Sequence, residues 1–122
     1  MDTSARLTRI GSIVIHCHEF DQMVRFWSEA LGYTPDRPLD GGWVVLRAPE
    51  GDAPNLSLQE RDVPRTTRSW IHLDLYTRDQ KSEVERLVRL GAHRYPWRYE
   101  PDADYVVLED PDGNLFCVVQ DD

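Results

Sequence analysis

Polar side chains with acid–base or hydrogen-bonding chemistry interrupt short apolar stretches at three places. His16 alternates with isoleucines in residues 10–17, Gln59 lies in residues 55–60, and His72 and Asp74 alternate with leucines in residues 70–76. Alternation with a period of two is typical of a strand with one face on the core, so these polar residues are expected on the opposite face. The sequence therefore predicts one polar pocket lined by His16, Gln59, His72 and Asp74.

A carboxylate beside a histidine orients the imidazole as a general base, which makes His72, or a pair of His16 with Asp74, the candidate catalytic group. The same residues also fit a structural role, because strand histidines are often hydrogen-bonded for stability and a His16–Asp74 pair could hold two strands together. His16 and His18 could chelate a metal if the strand stays regular through His18. Cys117 is expected to be a small buried residue rather than a nucleophile, because no basic residue lies near it in the sequence.

Aromatic residues near these stretches could supply apolar walls for the pocket. Such walls with a few polar groups are the usual composition of a small-molecule site. The candidates are Trp43, Trp70, Trp97 and Tyr105.

Two segments have the periodicity of amphipathic helices, and each ends at a glycine. The first runs from Phe20 to Leu31 before Gly32, and the second covers residues 79–90 before Gly91. Asp21 and Asp79 are well placed to cap or charge the two N-termini. One predicted strand precedes each helix and three follow it, at residues 10–17, 33–39, 43–47, 55–60, 70–76, 92–97, 104–108 and 115–120.

The order of these elements repeats as β-α-β-β-β, with a linker near residues 63–68. This predicts an α+β fold of one domain, with a first module at about residues 7–62 and a second at about residues 66–120. Ile71, Leu73 and Leu75 are expected to face the helices, because nothing else can bury them.

Composition limits the classes of partner. The 122 residues carry a formal charge of −8, which disfavours binding to nucleic acid or to an anionic membrane surface. No segment has the pattern of a signal peptide or a membrane span. Cys17 and Cys117 are widely separated, so a disulfide scaffold is not expected. A cytoplasmic protein is therefore expected.

Several motifs resemble those of the vicinal oxygen chelate superfamily, which includes glyoxalases, bleomycin-resistance proteins and dioxygenases. They are Phe26-Trp27 with Leu31-Gly32, the stretch 70–75, Leu90-Gly91-Ala92, and Asp110-Pro-Asp-Gly-Asn114 before the last strand. The resemblance implies that two modules form a curved eight-stranded mixed sheet around a cavity. It also implies a homodimer similar to the small glyoxalase-like proteins of bacteria.

Metal-dependent members of that superfamily hold a divalent ion with side chains from the first and last strands of each module. The resemblance places Ser12, Gln59, His72 and Cys117 at these positions, and among them His72 matches the usual ligand. Because hard cations prefer carboxylate and imidazole ligands, no cofactor is expected, with a divalent metal as the alternative. The expected function is binding or turnover of a small molecule in the cavity. The alternatives are a drug-sequestering protein without catalysis and a metal-dependent lyase or dioxygenase with an atypical site.

Overall fold

The computed structural model describes residues 10–50, 53–63 and 71–121, and it contains two β-α-β-β-β modules. The first consists of β1 (Ser12–Cys17), α1 (Phe20–Leu31), β2 (Thr34–Pro35), a short 3-10 helix (Leu39–Gly41), β3 (Trp43–Arg47) and β4 (Asn55–Glu60). The second consists of β5 (Leu73–Thr77), α2 (Gln80–Leu90), β6 (His93–Arg94), β7 (Tyr105–Glu109) and β8 (Leu115–Gln120). The predicted α+β class, the repeat and the eight strands are confirmed.

The strands form two hydrogen-bonded sheets of four, in the orders β1-β4-β3-β2 and β5-β8-β7-β6. In each sheet the first strand of the module runs parallel to the last, and the remaining pairs are antiparallel. The resemblance predicts one curved eight-stranded sheet, whereas the described residues form two separate four-stranded sheets. The closure of these sheets around a common cavity stays a prediction.

The strand register defines which residues are equivalent in the two modules. Ile13 pairs with Leu56 in the first sheet, and Leu73 pairs with Phe116 in the second. The strands β1 and β4 are therefore related to β5 and β8 by adding 60 to the residue number. The glycines after the helices are 59 apart because α1 has 12 residues and α2 has 11.

Both helices contribute to one apolar core. Trp27 is 1% exposed, and its ring centroid lies 5.0 Å from that of Phe26 in its own helix and 5.1 Å from that of Phe116 in β8. Leu87 of α2 is fully buried in the same cluster. Neither helix has the length and apolar character needed to cross a bilayer, over the residues described.

The structure corrects the extent of three predicted strands. The segments 33–39 and 92–97 pair over only two residues each, as β2 and β6. Proline has no backbone N–H to donate, and Pro38 and Pro96 lie just beyond these short strands. The predicted strand 70–76 begins at Leu73, so Ile71 does not reach the helix face and is 75% exposed. Trp70 lies outside the described residues.

The loop between β7 and β8 fastens the two modules together. Asp110 is 1% exposed and accepts a hydrogen bond from the Trp27 indole at 3.1 Å. The same carboxylate accepts from the backbone N–H of Asp112 and of Asn114, each at 2.9 Å. Gly113 has a φ of 88°, which favours glycine in this turn.

Helix α1 is bound at both ends by the second module. At its N-terminus Glu19 gives no side-chain cap, and Asp112 instead accepts from the backbone N–H of His18 and of Glu19, each at 2.9 Å. At its C-terminus the Arg86 guanidinium donates to the Ala30 carbonyl at 2.8 Å. An anion at the N-terminus and a cation at the C-terminus both complement the helix dipole.

We expect that Arg86→Ala lowers the free energy of unfolding by about 1–2 kcal/mol, because it removes charge-assisted bonds to helix carbonyls at a half-exposed site. Arg89→Ala is the matched control, since Arg89 is exposed on the same helix, and its effect should stay below about 0.5 kcal/mol. Urea denaturation followed by circular dichroism measures both. Equal effects of the two substitutions would contradict the role assigned to Arg86.

Candidate functional site

A pocket of about 480 Å³ lies on the face of the second sheet opposite α2. β5, β7 and β8 supply most of its lining because alternate residues of each strand point to this face. Its polar lining residues are His72, Asp74, Asp104 and Cys117. Its apolar and aromatic lining residues are Ile71, Tyr76, Trp97, Tyr105, Val107, Leu115 and Val119.

Three polar side chains meet in this pocket. His72 Nε2 lies 3.2 Å from Asp74 Oδ1, and Asp74 is directly opposite Cys117 in the parallel pair of β5 with β8. One potential ligand atom from each of the three residues lies within 4.8 Å of the others. The structure therefore brings together His72, Asp74 and Cys117, three of the residues singled out from the sequence.

The Cys117 thiol is half-buried beside the Asp74 carboxylate. Burial raises the pKa of Cys117 above its ordinary value, and the Asp74 carboxylate raises it further by repelling the thiolate and accepting a hydrogen bond from the thiol. Both effects oppose nucleophilic reactivity.

Hydrogen bonds hold the aromatic wall of the pocket in place. The Trp97 indole N–H donates to the Tyr105 hydroxyl at 3.2 Å, and the Tyr99 hydroxyl accepts from the Val107 backbone N–H at 2.8 Å. The rings of Tyr99 and Tyr105 lie 5.5 Å apart between centroids. Trp97 itself is 47% exposed, so the wall presents a large aromatic surface to the solvent.

The predicted single polar pocket is divided between the modules. His16 and Gln59 line a more open depression of the first module, of about 760 Å³, together with His18 and Arg61. His16 and His72 approach each other only as lining residues of a cleft of about 270 Å³ between β1 and β5. The division arises because the register of each sheet groups the polar residues of its own strands.

The structure does not form the alternative pair of His16 with Asp74. The partner of Asp74 is His72, two residues away on the chain, whereas Arg61 donates to His16 Nδ1 at 3.1 Å. His18 lies beyond the end of β1, and its Nδ1 is 3.3 Å from the Arg61 carbonyl oxygen.

Trp43 also lies outside the second-module pocket. The Arg37 guanidinium stacks 3.4 Å from the centroid of its ring. Arg37 in turn donates to Asp36, and this hydrogen bond holds the pKa of the Asp36 carboxyl well below its usual range. Tyr105 is the equivalent of Trp43 in the second module, since each lies opposite the equivalent residue of the neighbouring strand.

The residues at the positions of the superfamily's metal ligands do not fit a hard divalent cation. Val14 pairs with Ser57 where Asp74 pairs with Cys117, so Ser57, rather than Gln59, is the equivalent of Cys117. The hydroxyls of Ser12 and Ser57 lie 2.5 Å apart and bond to each other. Two neutral hydroxyls bring no charge to offset a dication, and the first module therefore offers no carboxylate or imidazole at these positions.

Several lining residues were not anticipated from the sequence, chiefly Asp104, Leu115 and Val119. Alternation could have identified Leu115 and Val119, because they flank Cys117 at a spacing of two on the same strand. Ile71 and Asp104 lie inside the predicted strands 70–76 and 104–108 but just outside β5 and β7, so the alternation expected for them does not apply.

The sequence of this chain matches one known protein family. A family model described as a glyoxalase-like domain matches residues 12–119. A comparison with curated proteins finds no significant match.

Three solved structures illustrate the range of similar proteins. A mutant of the fosfomycin resistance protein FosX from Listeria monocytogenes, complexed with Mn(II) and 1S,2S-dihydroxypropylphosphonic acid, has a TM-score of 0.74 and 14% identity, covering 95% of this chain and 92% of that chain. The antibiotic-binding protein TnmS3 from Streptomyces sp. CB03234 has a TM-score of 0.63 and 20% identity, covering 96% and 98%. The bleomycin-binding protein of Streptomyces verticillus, complexed with copper(II)-bleomycin, has a TM-score of 0.60 and 17% identity, covering 95% and 99%. At these identities the likeness is one of fold.

Proposed function

This chain belongs to the glyoxalase-like domain family, and from that premise we propose that it binds a small, largely planar organic molecule in the second-module pocket. The observation that carries the proposal is the pocket of about 480 Å³ with an aromatic wall on one side and the His72–Asp74 pair on the other. A volume of this size and a mainly apolar lining with few polar groups suit a drug-sized ligand.

The charge of the lining favours a neutral or cationic ligand. Asp74 and Asp104 line the pocket, and none of its described lining residues is a lysine or an arginine. An anionic ligand would meet two carboxylates without a permanent countercharge, whereas a cation would gain from both the carboxylates and the aromatic faces.

Two proteins of similar fold bind antibiotic compounds. The name of one structural neighbour describes antibiotic binding, and that of another describes bleomycin binding. Together with the apolar lining, this supports sequestration of an aromatic compound as the function of this chain. The homodimer and the cytoplasmic location expected from the sequence remain predictions, and light scattering of the purified protein tests the first.

We expect a planar aromatic cation such as proflavine to raise the melting temperature, with a stabilisation of about 2.7 kcal/mol at 100 times its Kd. A planar anion such as pyrenesulfonate should give little or no shift. A broad screen of neutral and cationic aromatic compounds that gives no shift would refute the proposal.

Trp97→Ala should weaken the binding of any compound found in this way by about tenfold, because it removes half of the aromatic wall. Trp43→Ala is the matched control, since Trp43 is 45% exposed against 47% for Trp97 but stacks under Arg37 in the other module. Isothermal titration calorimetry measures both variants. Loss of affinity in the control alone would place the ligand in the first module.

Turnover of the ligand is a second candidate function, favoured by the 3.2 Å contact of His72 with Asp74. A carboxylate at this distance can orient the imidazole as a general base toward an oxygenated ligand. If the bound compound is converted, His72→Gln should lower kcat by about 10²–10⁴ and change Kd only slightly. An unchanged kcat would exclude His72 as the base.

A further inference from the structure

We propose that His72, Asp74 and Cys117 form a binding site for one Zn²⁺ ion within the second module. The site differs from the metal site of the superfamily in two respects. All three protein ligands come from one module, and the Asp74 carboxylate lies at a position that does not supply a ligand in the superfamily. The metal alone is sufficient to test the proposal. A zinc-bound His72 would not be free to act as the general base, so this site and the turnover candidate exclude each other.

The spacing of the donor atoms suits a small cation. Bonds of about 2.0–2.3 Å to nitrogen, oxygen and sulfur place tetrahedral zinc ligands about 3.3–3.8 Å apart. His72 Nε2 and Asp74 Oδ1 are already 3.2 Å apart, and all three donor atoms lie within 4.8 Å. The remaining adjustment falls on His72 and Asp74, whose side chains are 57% and 46% exposed and therefore free to rotate.

The strands fix the positions from which these side chains project. Asp74 and Cys117 are direct partners in the parallel pair of β5 with β8. His72 precedes Asp74 by two residues on the same side of the chain, and both line the same pocket. Folding therefore assembles the donor set before any metal binds, which reduces the cost of ordering it.

Charge and chemical softness select the ion. On binding zinc the Cys117 thiol releases its proton to the solvent. The Asp74 carboxylate and the resulting thiolate then balance the two positive charges of the metal, and a neutral imidazole completes the set. Thiolate and imidazole favour zinc over magnesium or manganese, which prefer oxygen ligands.

Comparison of the two modules supports a specific role for this cluster. The equivalents of His72, Asp74 and Cys117 in the first module are Ser12, Val14 and Ser57, by the offset of 60 between the strands. These three side chains offer no carboxylate, imidazole or thiolate. The donor set is thus a property of the second module rather than of the repeated fold.

The test uses untagged, chelator-treated protein and Co²⁺ as a spectroscopic substitute for Zn²⁺. One equivalent of Co²⁺ should produce the intense near-ultraviolet absorption of a thiolate–cobalt bond together with the visible bands of tetrahedral cobalt, and Zn²⁺ should displace it. The absorption should disappear in Cys117→Ser. Asp74→Asn should weaken Zn²⁺ binding by at least about tenfold in calorimetric titration.

The controls separate this site from other donors in the chain. His16→Ala removes an exposed histidine of the first module and should leave both the spectrum and the affinity unchanged. A thiolate–cobalt band that persists in Cys117→Ser would assign the metal to Cys17 and overturn the proposal, as would the absence of a band in the wild-type protein. Zinc binding without any aromatic ligand would leave the metal site intact while refuting the proposed sequestration, so the two failures are distinguishable.

Discussion

Replacement of Asp110 with alanine is expected to lower the free energy of unfolding by about 3–5 kcal/mol, near the upper end for single substitutions. The carboxylate is almost fully buried and accepts bonds from the Trp27 indole and from the backbone and side chain of Asn114. Its loss leaves these donors without a partner, each at a cost of about 1–3 kcal/mol where water does not reach it. Urea denaturation followed by tryptophan fluorescence measures the change.

Asp102→Ala is the control, because Asp102 is an exposed aspartate in the chain segment before β7 and should change the free energy of unfolding by less than about 0.5 kcal/mol. A loss below about 1 kcal/mol in Asp110→Ala would show that the loop does not fasten the modules.

The pH dependence of Asp110→Asn gives a second readout of the same carboxyl group. Burial raises the pKa of Asp110 above its ordinary value, and the bonds from Asn114 and Trp27 only partly offset it. A carboxyl group with a raised pKa in the folded state contributes stability that is present below its unfolded pKa and is lost as the pH rises through its folded pKa. The stability of the wild-type protein should therefore improve relative to Asp110→Asn as the pH falls from neutral toward about 4.

Val119→Trp is expected to reduce the affinity for an aromatic ligand at least about 100-fold, which corresponds to about 2.7 kcal/mol. Val119 is half-buried and lines the second-module pocket opposite Tyr105 in the neighbouring strand. An indole at this position would occupy the space between the aromatic wall and β5. Because the pocket is open to solvent, the added ring should fill it without disturbing the core.

Gln59→Trp is the matched control, since Gln59 is the exposed equivalent of Val119 in the first module. It introduces the same side chain at the equivalent position of the first sheet and should change the Kd for the ligand by less than about twofold. Calorimetric titration with the compound that gives the largest thermal shift compares the two variants. Equal losses of affinity would show that the ligand contacts both modules.

The helices and the long strands could be predicted from the sequence because their patterns are strong and local. The apolar residues of α1 recur on one face and Gly32 ends the helix, so its bounds agree with the prediction. In β4 polar and apolar residues alternate from Asn55 to Gln59, and β8 is a short apolar run that follows a turn. The two-residue strands β2 and β6 could not be predicted, because proline and pairing at a sheet edge, rather than periodicity, decide their ends.

The candidate site could be predicted only in part, because alternation gives the face of a residue but not its neighbours. His72 and Asp74 were expected to share a face, and the structure places them in contact. Which residues join them depends on how β1 and β5 are spaced, and the packing of both helices on one core determines that distance. The equivalent of Cys117 in the first module is Ser57 rather than the predicted Gln59, and this follows from the strand register. Register depends on the pairing partner as well as on the strand itself.

The dependence of α1 on the second module has a consequence for how the protein opens. Asp112 accepts from the amides of His18 and Glu19, and Arg86 donates to the Ala30 carbonyl, so amide exchange at the start of the helix requires the second module to move away. Slow hydrogen exchange in this helix would then report on the docking of the two halves rather than on the helix alone. A fragment ending in the linker would lose the Asp112 and Arg86 partners of this helix, and the two halves of the chain should recover ordered structure only when mixed.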